Sequence, residues 1–263
     1  MRKIVVILIG VAFFFASCGE YQEIKKSTNA EFKLKKAIEY FNSQDYAKTL
    51  DLLDDVRPLY RGRTQAPTIE YYYAYSLYEQ KRYLDAGNYF NQIVRLYPKS
   101  PYVEECLYMK AFCYYKGTPM VLLDQTPTKD AIQAFETYIK RYPNSSRNDD
   151  AKEYISKLYD KLVKKSYLNA KSYYDREYYD SAIIALNNSI KEYPESGYRE
   201  EILFMLLESR YQLAKNSIPS KKRDRYNKAK EEYLSFAEEF PDSKYVSKAK
   251  RMNNNINEYL GTE

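Results

Sequence analysis

The feature that most constrains the fold of this chain is a motif that recurs along it. Each copy begins with a small residue and closes with Tyr-Pro or Phe-Pro, and the Pro follows the small residue by twelve positions every time. The small residues of the four copies are Ala86, Ala131, Ala182 and Ala229, and the matching prolines are Pro98, Pro143, Pro194 and Pro241. A repeat unit cannot bury its apolar face alone, so this regularity predicts units stacked into a solenoid, whose usual product is a binding surface.

Spacing inside each copy predicts a pair of helices. Apolar residues follow the small residue at intervals of four and three, as in Ala86, Phe90 and Ile93, which is one face of a helix. The Pro then ends that helix. A second small residue, such as Ala74 nine positions before Tyr83, predicts a first helix that approaches its partner closely. A weaker first copy around Thr49 has no closing Pro.

The predicted fold is therefore all-α, an α-solenoid of about five tetratricopeptide-like helical hairpins in a single elongated domain spanning residues 31–263. The hairpins are expected at roughly 31–62, 67–98, 104–143, 163–194 and 200–241, followed by a capping helix at 243–260. Two loops are expected inside hairpins, at 117–128 and 216–224. The apolar run that includes Met120 and Leu122 in the first loop either packs back on the solenoid or contacts a partner.

The first eighteen residues predict export and a lipid anchor. Arg2 and Lys3 precede an apolar run that is too short to span a bilayer and fits the core of a signal peptide at 1–17. The small residues before Cys18 resemble a bacterial lipobox, which would make Cys18 the acylated first residue; the alternative is an ordinary secretory signal with an incidental Cys. Residues 18–30 are polar and suit a flexible tether. Gly19, where an inner-membrane retention signal has Asp, favours the periplasmic face of the outer membrane.

Composition argues against catalysis. The chain has no His, the commonest general base and metal ligand. On one helix Cys106 and Cys113 would lie about 10 Å apart, so two buried thiols are expected rather than a disulfide. We therefore predict no enzyme, no catalytic residue, no metal site and no cofactor.

The charge pattern argues against a nucleic-acid partner. The net charge is only +6, and cations alternate with acids along the predicted helices. One basic cluster, Lys221, Lys222 and Arg223, is either a solvated loop or a contact for an acidic partner or headgroups.

A candidate ligand groove follows from the position of the small residues. Aligning Ala74 and Ala86 with the two small positions of a tetratricopeptide unit places Tyr71, Tyr75 and Tyr78 on the inner face of the first helix. The same alignment places Leu34, Ile38 and Phe41 there in the first repeat. An apolar groove rich in Tyr suits an extended peptide with aromatic side chains. The alternative is that these rings pack only against neighbouring repeats.

The closures extend this pattern to a known family. They read Tyr97-Pro98-Lys99-Ser100, Tyr142-Pro143-Asn144-Ser145 and Tyr193-Pro194-Glu195-Ser196, and an insertion follows Tyr114-Tyr115-Lys116-Gly117. Together with the lipobox and the number of hairpins, they resemble the BamD family, the tetratricopeptide lipoproteins of the outer-membrane β-barrel assembly machinery. The resemblance spans nearly the whole chain. The degenerate first repeat, the long last hairpin and the Tyr-rich composition depart from it.

This resemblance implies a non-enzymatic adaptor. Its N-terminal repeats would recognise the C-terminal aromatic signal of unfolded outer-membrane proteins in the groove described above. Its C-terminal repeats would hold a BamA-like barrel insertase, with Arg176 where the family tends to place a partner-contacting Arg, and other assembly lipoproteins would be further partners. Two alternatives remain open from the residues: a periplasmic scaffold for cell-wall synthesis or envelope constriction, and a nutrient-capturing surface lipoprotein.

Overall fold

Helices account for the regular structure of the chain in a computed structural model, which describes residues 20–262. The described residues contain no strand, which confirms the prediction of an all-α solenoid. None of the helices in this range is both long and apolar enough to cross a membrane. The short helix at residues 20–26 is α1, and a 3₁₀ turn at Arg57–Tyr60 follows α3. The other helices are α2 Ala30–Asn42, α3 Tyr46–Val56, α4 Ala66–Glu79, α5 Tyr83–Leu96, α6 Val103–Lys116, α7 Thr126–Arg141, α8 Asn148–Asp175, α9 Tyr179–Glu192, α10 Arg199–Lys215, α11 Pro219–Glu239 and α12 Val246–Leu260.

Contacts divide the described chain into two compact units. The first contains the helices up to α7 and the start of α8 as far as Leu158, and the second contains the rest of α8, helices α9–α12 and the loop residues 120–124. The first unit buries side chains such as Leu53, Leu77, Phe90 and Phe135. The second has its own cluster, which includes Leu186, Ile202, Leu207, Phe236 and Ile256. The single elongated domain expected from the sequence stays a prediction.

Three hairpins share one turn geometry. At the end of α4, Lys81 N–H donates to Tyr78 O (2.8 Å) and Arg82 N–H donates to Leu77 O (2.9 Å), the two bonds of a Schellman motif. The motif needs a left-handed residue at Lys81, whose φ is 62°. Equivalent left-handed residues are Gln44 (φ 63°) after α2 and Glu177 (φ 61°) after α8. These non-Gly residues hold a conformation that costs about 1–2 kcal/mol for a side chain with Cβ.

Replacing Lys81 by Gly is therefore expected to raise the free energy of unfolding by about 0.5–1 kcal/mol, since the removed strain exceeds the added chain entropy of Gly. For a chain of this size the melting temperature should rise by about 1–3 °C. Gln80 is the control, because its φ of −77° is ordinary, and Gln80→Gly should lower stability. Circular dichroism melting curves measure both variants, and a lower melting temperature for Lys81→Gly would contradict the argument.

The Tyr-Pro-x-Ser closures form a second repeated structure. Ser100 N–H donates to Tyr97 O (2.9 Å), Val103 N–H donates to Ser100 O (3.2 Å), and the Ser100 hydroxyl accepts from Tyr102 N–H (3.3 Å). Ser145, Ser196 and Ser243 make the same set of bonds. The Ser therefore connects the end of one hairpin to the first turn of the next helix.

The residue two positions after each Ser lies over an aromatic ring. That ring belongs to the first helix of the hairpin that the Ser closes. Three of these pairs are stacked rings and the remaining one is a cation over a ring. The pairs are Tyr102 on Tyr71 (4.4 Å), Arg147 on Tyr108 (4.7 Å), Tyr198 on Tyr167 (4.2 Å) and Tyr245 on Phe204 (4.2 Å). Stacking at this point is thus part of how successive repeats pack.

Two segments differ from the expectations. Part of the predicted flexible tether is helical: in α1, Ile24 is buried, the Tyr21 hydroxyl donates to the Asp51 carboxylate, and Lys25 forms ion pairs with Asp51 (2.8 Å) and Asp55 (3.2 Å). The tether prediction is wrong for residues 20–26, because Tyr21 and Lys25 find polar partners on α3 and Ile24 is buried. The signal peptide and Cys18 lie outside the described residues.

The predicted loop at 216–224 is mostly helix. Only residues 216–218 link α10 to α11, which begins at Pro219. Pro suits the first helical position, where its missing N–H costs nothing, and the Lys and Arg residues that follow are good helix formers. Arg225 also donates to the Ser217 hydroxyl (2.7 Å), which fixes the start of the helix to the linking residues. The basic cluster therefore lies on a helix rather than in a loop.

Candidate functional site

The candidate groove is built on one stripe of α4. Tyr71, Tyr75 and Tyr78 follow a spacing of four and three, so they lie on the same face of the helix. All three are half-buried, whereas Tyr73 and Leu77 on the other side of α4 are buried. Helix α4 therefore uses one face for the core and presents a row of partly accessible rings on another.

The rings of this row touch one another. The Tyr71 and Tyr75 ring centroids are 4.7 Å apart, and the Tyr75 and Tyr78 centroids are 6.3 Å apart. These distances are typical of favourable tilted and edge-to-face pairs. The structure thus brings the three tyrosines together, and their side chains differ in what else they contact.

Tyr71 takes part in packing between repeats. It stacks on Tyr102 of the following closure, and its counterparts Tyr108, Tyr167 and Phe204 hold the same position in other repeats. A ring that recurs in this way in both units has a structural role wherever it occurs. Of the three tyrosines, Tyr71 is the one whose contacts agree best with the alternative reading, in which the rings pack against neighbouring repeats.

Tyr75 is held by a polar network. Its hydroxyl donates to the Glu105 carboxylate, whose other oxygen lies 2.5 Å from the Arg147 guanidinium. Burial and this hydrogen bond to a carboxylate both raise the pKa of Tyr75 well above its ordinary value. The hydroxyl therefore stays protonated and hydrogen-bonded to Glu105, and the network fixes the orientation of the ring.

Tyr78 is placed differently. Its ring lies 5.7 Å from that of Tyr83 and 6.1 Å from that of Phe112. Among residues 20–262, its hydroxyl has no hydrogen-bond partner, although partial burial raises its pKa. Tyr78 therefore offers a supported ring with a free donor, which is the combination a peptide backbone can use.

The first repeat contributes a further half-buried ring, Phe41, which contacts α4. The Phe41 ring lies 4.8 Å from that of Tyr72 and 5.7 Å from that of Tyr46. It thus reaches α4 through Tyr72 rather than through the three predicted tyrosines. Leu34 and Ile38 are half-buried on α2.

The aromatic surface extends into the third repeat, which the sequence analysis did not include. Phe112 and Tyr115 lie at the positions of α6 that match Tyr75 and Tyr78 on α4, and both contact Tyr154 of α8, at 5.2 and 4.6 Å. The alignment that placed the α4 tyrosines would have found Phe112 and Tyr115 if it had been carried to Ala111. Tyr154, Glu105 and Arg147 had no such signal, because their roles depend on contacts between distant residues.

The candidate partner contacts all lie in the second unit. Arg176 is exposed at the turn after α8, next to left-handed Glu177. Lys221 and Arg223 are exposed on the first turns of α11, and Lys222 lies 5.6 Å from the centre of the Tyr259 ring. Met120 and Leu122 are exposed at 76% and 69% in a loop whose Leu123 carbonyl accepts from Lys165 (2.7 Å).

Within residues 20–262, Cys106 and Cys113 are both buried and form no disulfide, which confirms the expectation from their spacing. Burial raises the pKa of Cys106 and of Cys113 to about 12 each. We expect iodoacetamide at about pH 8 to leave both thiols of the folded protein unmodified and to alkylate both in urea, because unfolding restores an ordinary thiol pKa. Mass spectrometry after each treatment measures this, and rapid native alkylation of either thiol would contradict it.

The stacked hairpins define a helical repeat protein of the tetratricopeptide-like solenoid class, and the row of rings on α4 is its candidate binding surface. The chain belongs to the YfiO family of outer membrane lipoproteins, whose family model matches residues 27–224 and 164–263. These matches together cover most of the chain.

Individual relatives agree with this family. A protein of Rickettsia prowazekii called outer membrane protein assembly factor BamD is 25% identical over 80% of each chain. A protein of the same description from Caulobacter vibrioides is 28% identical over 51% of this chain and 44% of its own length. Among solved structures, a TPR repeat protein from Bacteroides fragilis is 13% identical, with a TM-score of 0.39 over 89% of this chain and 100% of that chain.

Proposed function

We propose that this protein is a non-catalytic adaptor in the assembly of β-barrel proteins into the outer membrane. The observation that carries the proposal is its membership of an outer membrane lipoprotein family in which relatives matching about four fifths of the chain are described as outer membrane protein assembly factors. The proposal includes a lipid anchor at Cys18 that holds the protein on the periplasmic face.

In this proposal the first unit binds the C-terminal aromatic signal of unfolded outer-membrane proteins. The partly accessible rings of Phe41, Tyr78, Phe112 and Tyr115 support it, because they offer apolar area at low entropic cost. The hydroxyl of Tyr78, which has no partner among the described residues, supplies a hydrogen bond to the bound backbone. Tyr75, held by Glu105, positions its neighbour Tyr78.

The second unit binds the barrel insertase. Its exposed cations Arg176, Lys221 and Arg223 support this assignment, because surface charge steers the encounter with an acidic partner. The exposed apolar side chains of Met120 and Leu122 add contact area in the same unit. Other assembly lipoproteins are further partners in the complex.

Purification of the tagged, lipidated protein from native envelopes in mild detergent tests the proposal. Mass spectrometry should identify a large outer-membrane barrel protein with periplasmic domains. The charge reversal Arg176→Glu should reduce its recovery, whereas Lys191→Glu, at an exposed position of α9, should not. Recovery of cell-wall synthesis or division proteins without the barrel protein would contradict the proposal.

A further inference from the structure

A second concave surface lies in the first unit, lined by other residues than the aromatic row. It has a volume of about 650 Å³ and is bordered by two segments: the loop and first turn that lead into α4, and the closure between α5 and α6. Gly62, with φ 77°, allows the first segment to turn there. We call this surface the closure groove.

The walls of the closure groove are largely apolar. Leu96, at the end of α5, is 52% exposed there, although a Leu usually gains from burial. Pro67, Pro98 and Pro101 line the groove beside the rings of Tyr97 and Tyr102. Proline rings and aromatic rings are rigid, so this surface loses little conformational entropy when a ligand covers it.

The charged residues that line the closure groove are all positive. Arg63 lies on the loop segment and Lys99 lies on the closure segment, and neither forms an ion pair with any other residue of the described chain. No Asp or Glu of residues 20–262 is among the lining residues. A cleft that has positive charges only, between apolar walls, concentrates its electric field on an anionic ligand.

We propose that the closure groove is a docking site for an extended, acidic segment of another polypeptide. Its two cations come one from each bordering segment, so a narrow chain lying between them pairs with both. Apolar side chains of the same segment cover Leu96 and the prolines. The flat array of headgroups on a bilayer matches such a concave surface less well. The inference stands independently of the proposed function, because it involves none of the residues assigned there.

Fluorescence anisotropy with a short labelled peptide that alternates Asp with Leu tests the docking site on the folded, full-length mature chain. Binding should weaken by about tenfold in the double variant Arg63→Glu and Lys99→Glu, and it should weaken with added salt. The matched control is Lys129→Glu with Lys140→Glu, two exposed cations of α7 in the same unit. This control has the same net charge and should bind as the parent does.

The apolar contribution has its own pair of variants on one helix. Leu96→Ser should weaken binding of the acidic peptide severalfold. Leu84→Ser, at a Leu that is 73% exposed near the start of α5, should leave the binding unchanged. Circular dichroism confirms that each variant is folded, and Arg63→Gln with Lys99→Gln provides a milder second pair of changes.

Three results would overturn the inference. One is equal weakening by the α7 control, which would indicate only general electrostatics. Another is equal affinity for a peptide in which Lys replaces Asp. The last is that the parent protein binds phosphatidylglycerol vesicles but not the acidic peptide, and that the double variant no longer binds the vesicles.

Discussion

Replacing Phe90 by Ala is expected to lower the free energy of unfolding by about 3–5 kcal/mol. Phe90 is fully buried in α5, and it lies on the face predicted by the spacing from Ala86. Its truncation removes the transfer free energy of a whole ring and leaves a cavity that rigid neighbours fill only in part. The Phe90 ring also supports Tyr75, with the two centroids 5.1 Å apart. The variant should therefore loosen the aromatic row as well as the core.

Urea denaturation followed by circular dichroism measures this loss. The matched control is Leu84→Ala on the same helix, where an exposed side chain should contribute less than about 0.5 kcal/mol. Phe90→Leu keeps much of the volume and should fall between the two. A loss below about 1 kcal/mol for Phe90→Ala would mean that the region repacks and that the core of the first unit is less tightly specified than its burial indicates.

Replacing Tyr78 by Ala is expected to weaken binding of a peptide with a C-terminal aromatic residue by more than about tenfold. The reason is that Tyr78 combines a ring supported by Tyr83 and Phe112 with a hydroxyl that has no partner among the described residues. Tyr78→Phe keeps the ring and removes only the hydroxyl, so it should cost about two- to tenfold, the value of a single hydrogen bond. The difference between the two variants separates stacking from hydrogen bonding.

Isothermal titration calorimetry with the same peptide measures both variants. Tyr178→Ala is the control, because its ring is exposed at 60% and lies in the second unit. Tyr71→Ala should instead lower the melting temperature, since it breaks a stack that recurs between repeats. If Tyr78→Ala binds as the parent does, the peptide does not occupy this row of rings and the groove assignment fails.

The helices were predictable because their signals are local. Each signal lies within about forty residues of the sequence. The signals are apolar residues at intervals of three and four, a small residue where two helices cross, and a Pro at the close of a hairpin. The buried face of α5, with Ala86, Phe90 and Ile93, lies where the spacing placed it. Burial of the two thiols was expected from their separation of about 10 Å along one helix.

Misread segments were those whose structure depends on a partner elsewhere. Residues 20–26 look like a polar tether in isolation, but they form a helix in which Ile24 is buried and Lys25 forms an ion pair with Asp51 of α3. The start of α11 was expected to lie in a loop, although Pro219 and the following cations favour a helix. A single sequence carries little information on which polar residues form hydrogen bonds or ion pairs in the folded protein.

The sequence by itself determined the class of fold, the order of the hairpins and the closures, because these follow from periodicity and from the conformational limits of Pro. Only the tertiary structure decided what each ring does. It separates Tyr71, stacked between repeats, from Tyr75, held by Glu105, and from Tyr78, whose hydroxyl has no partner among residues 20–262. The three have the same chemistry and lie on one face of α4, so their different roles come from the residues of other helices that folding brings against them, such as Tyr102, Glu105 and Phe112.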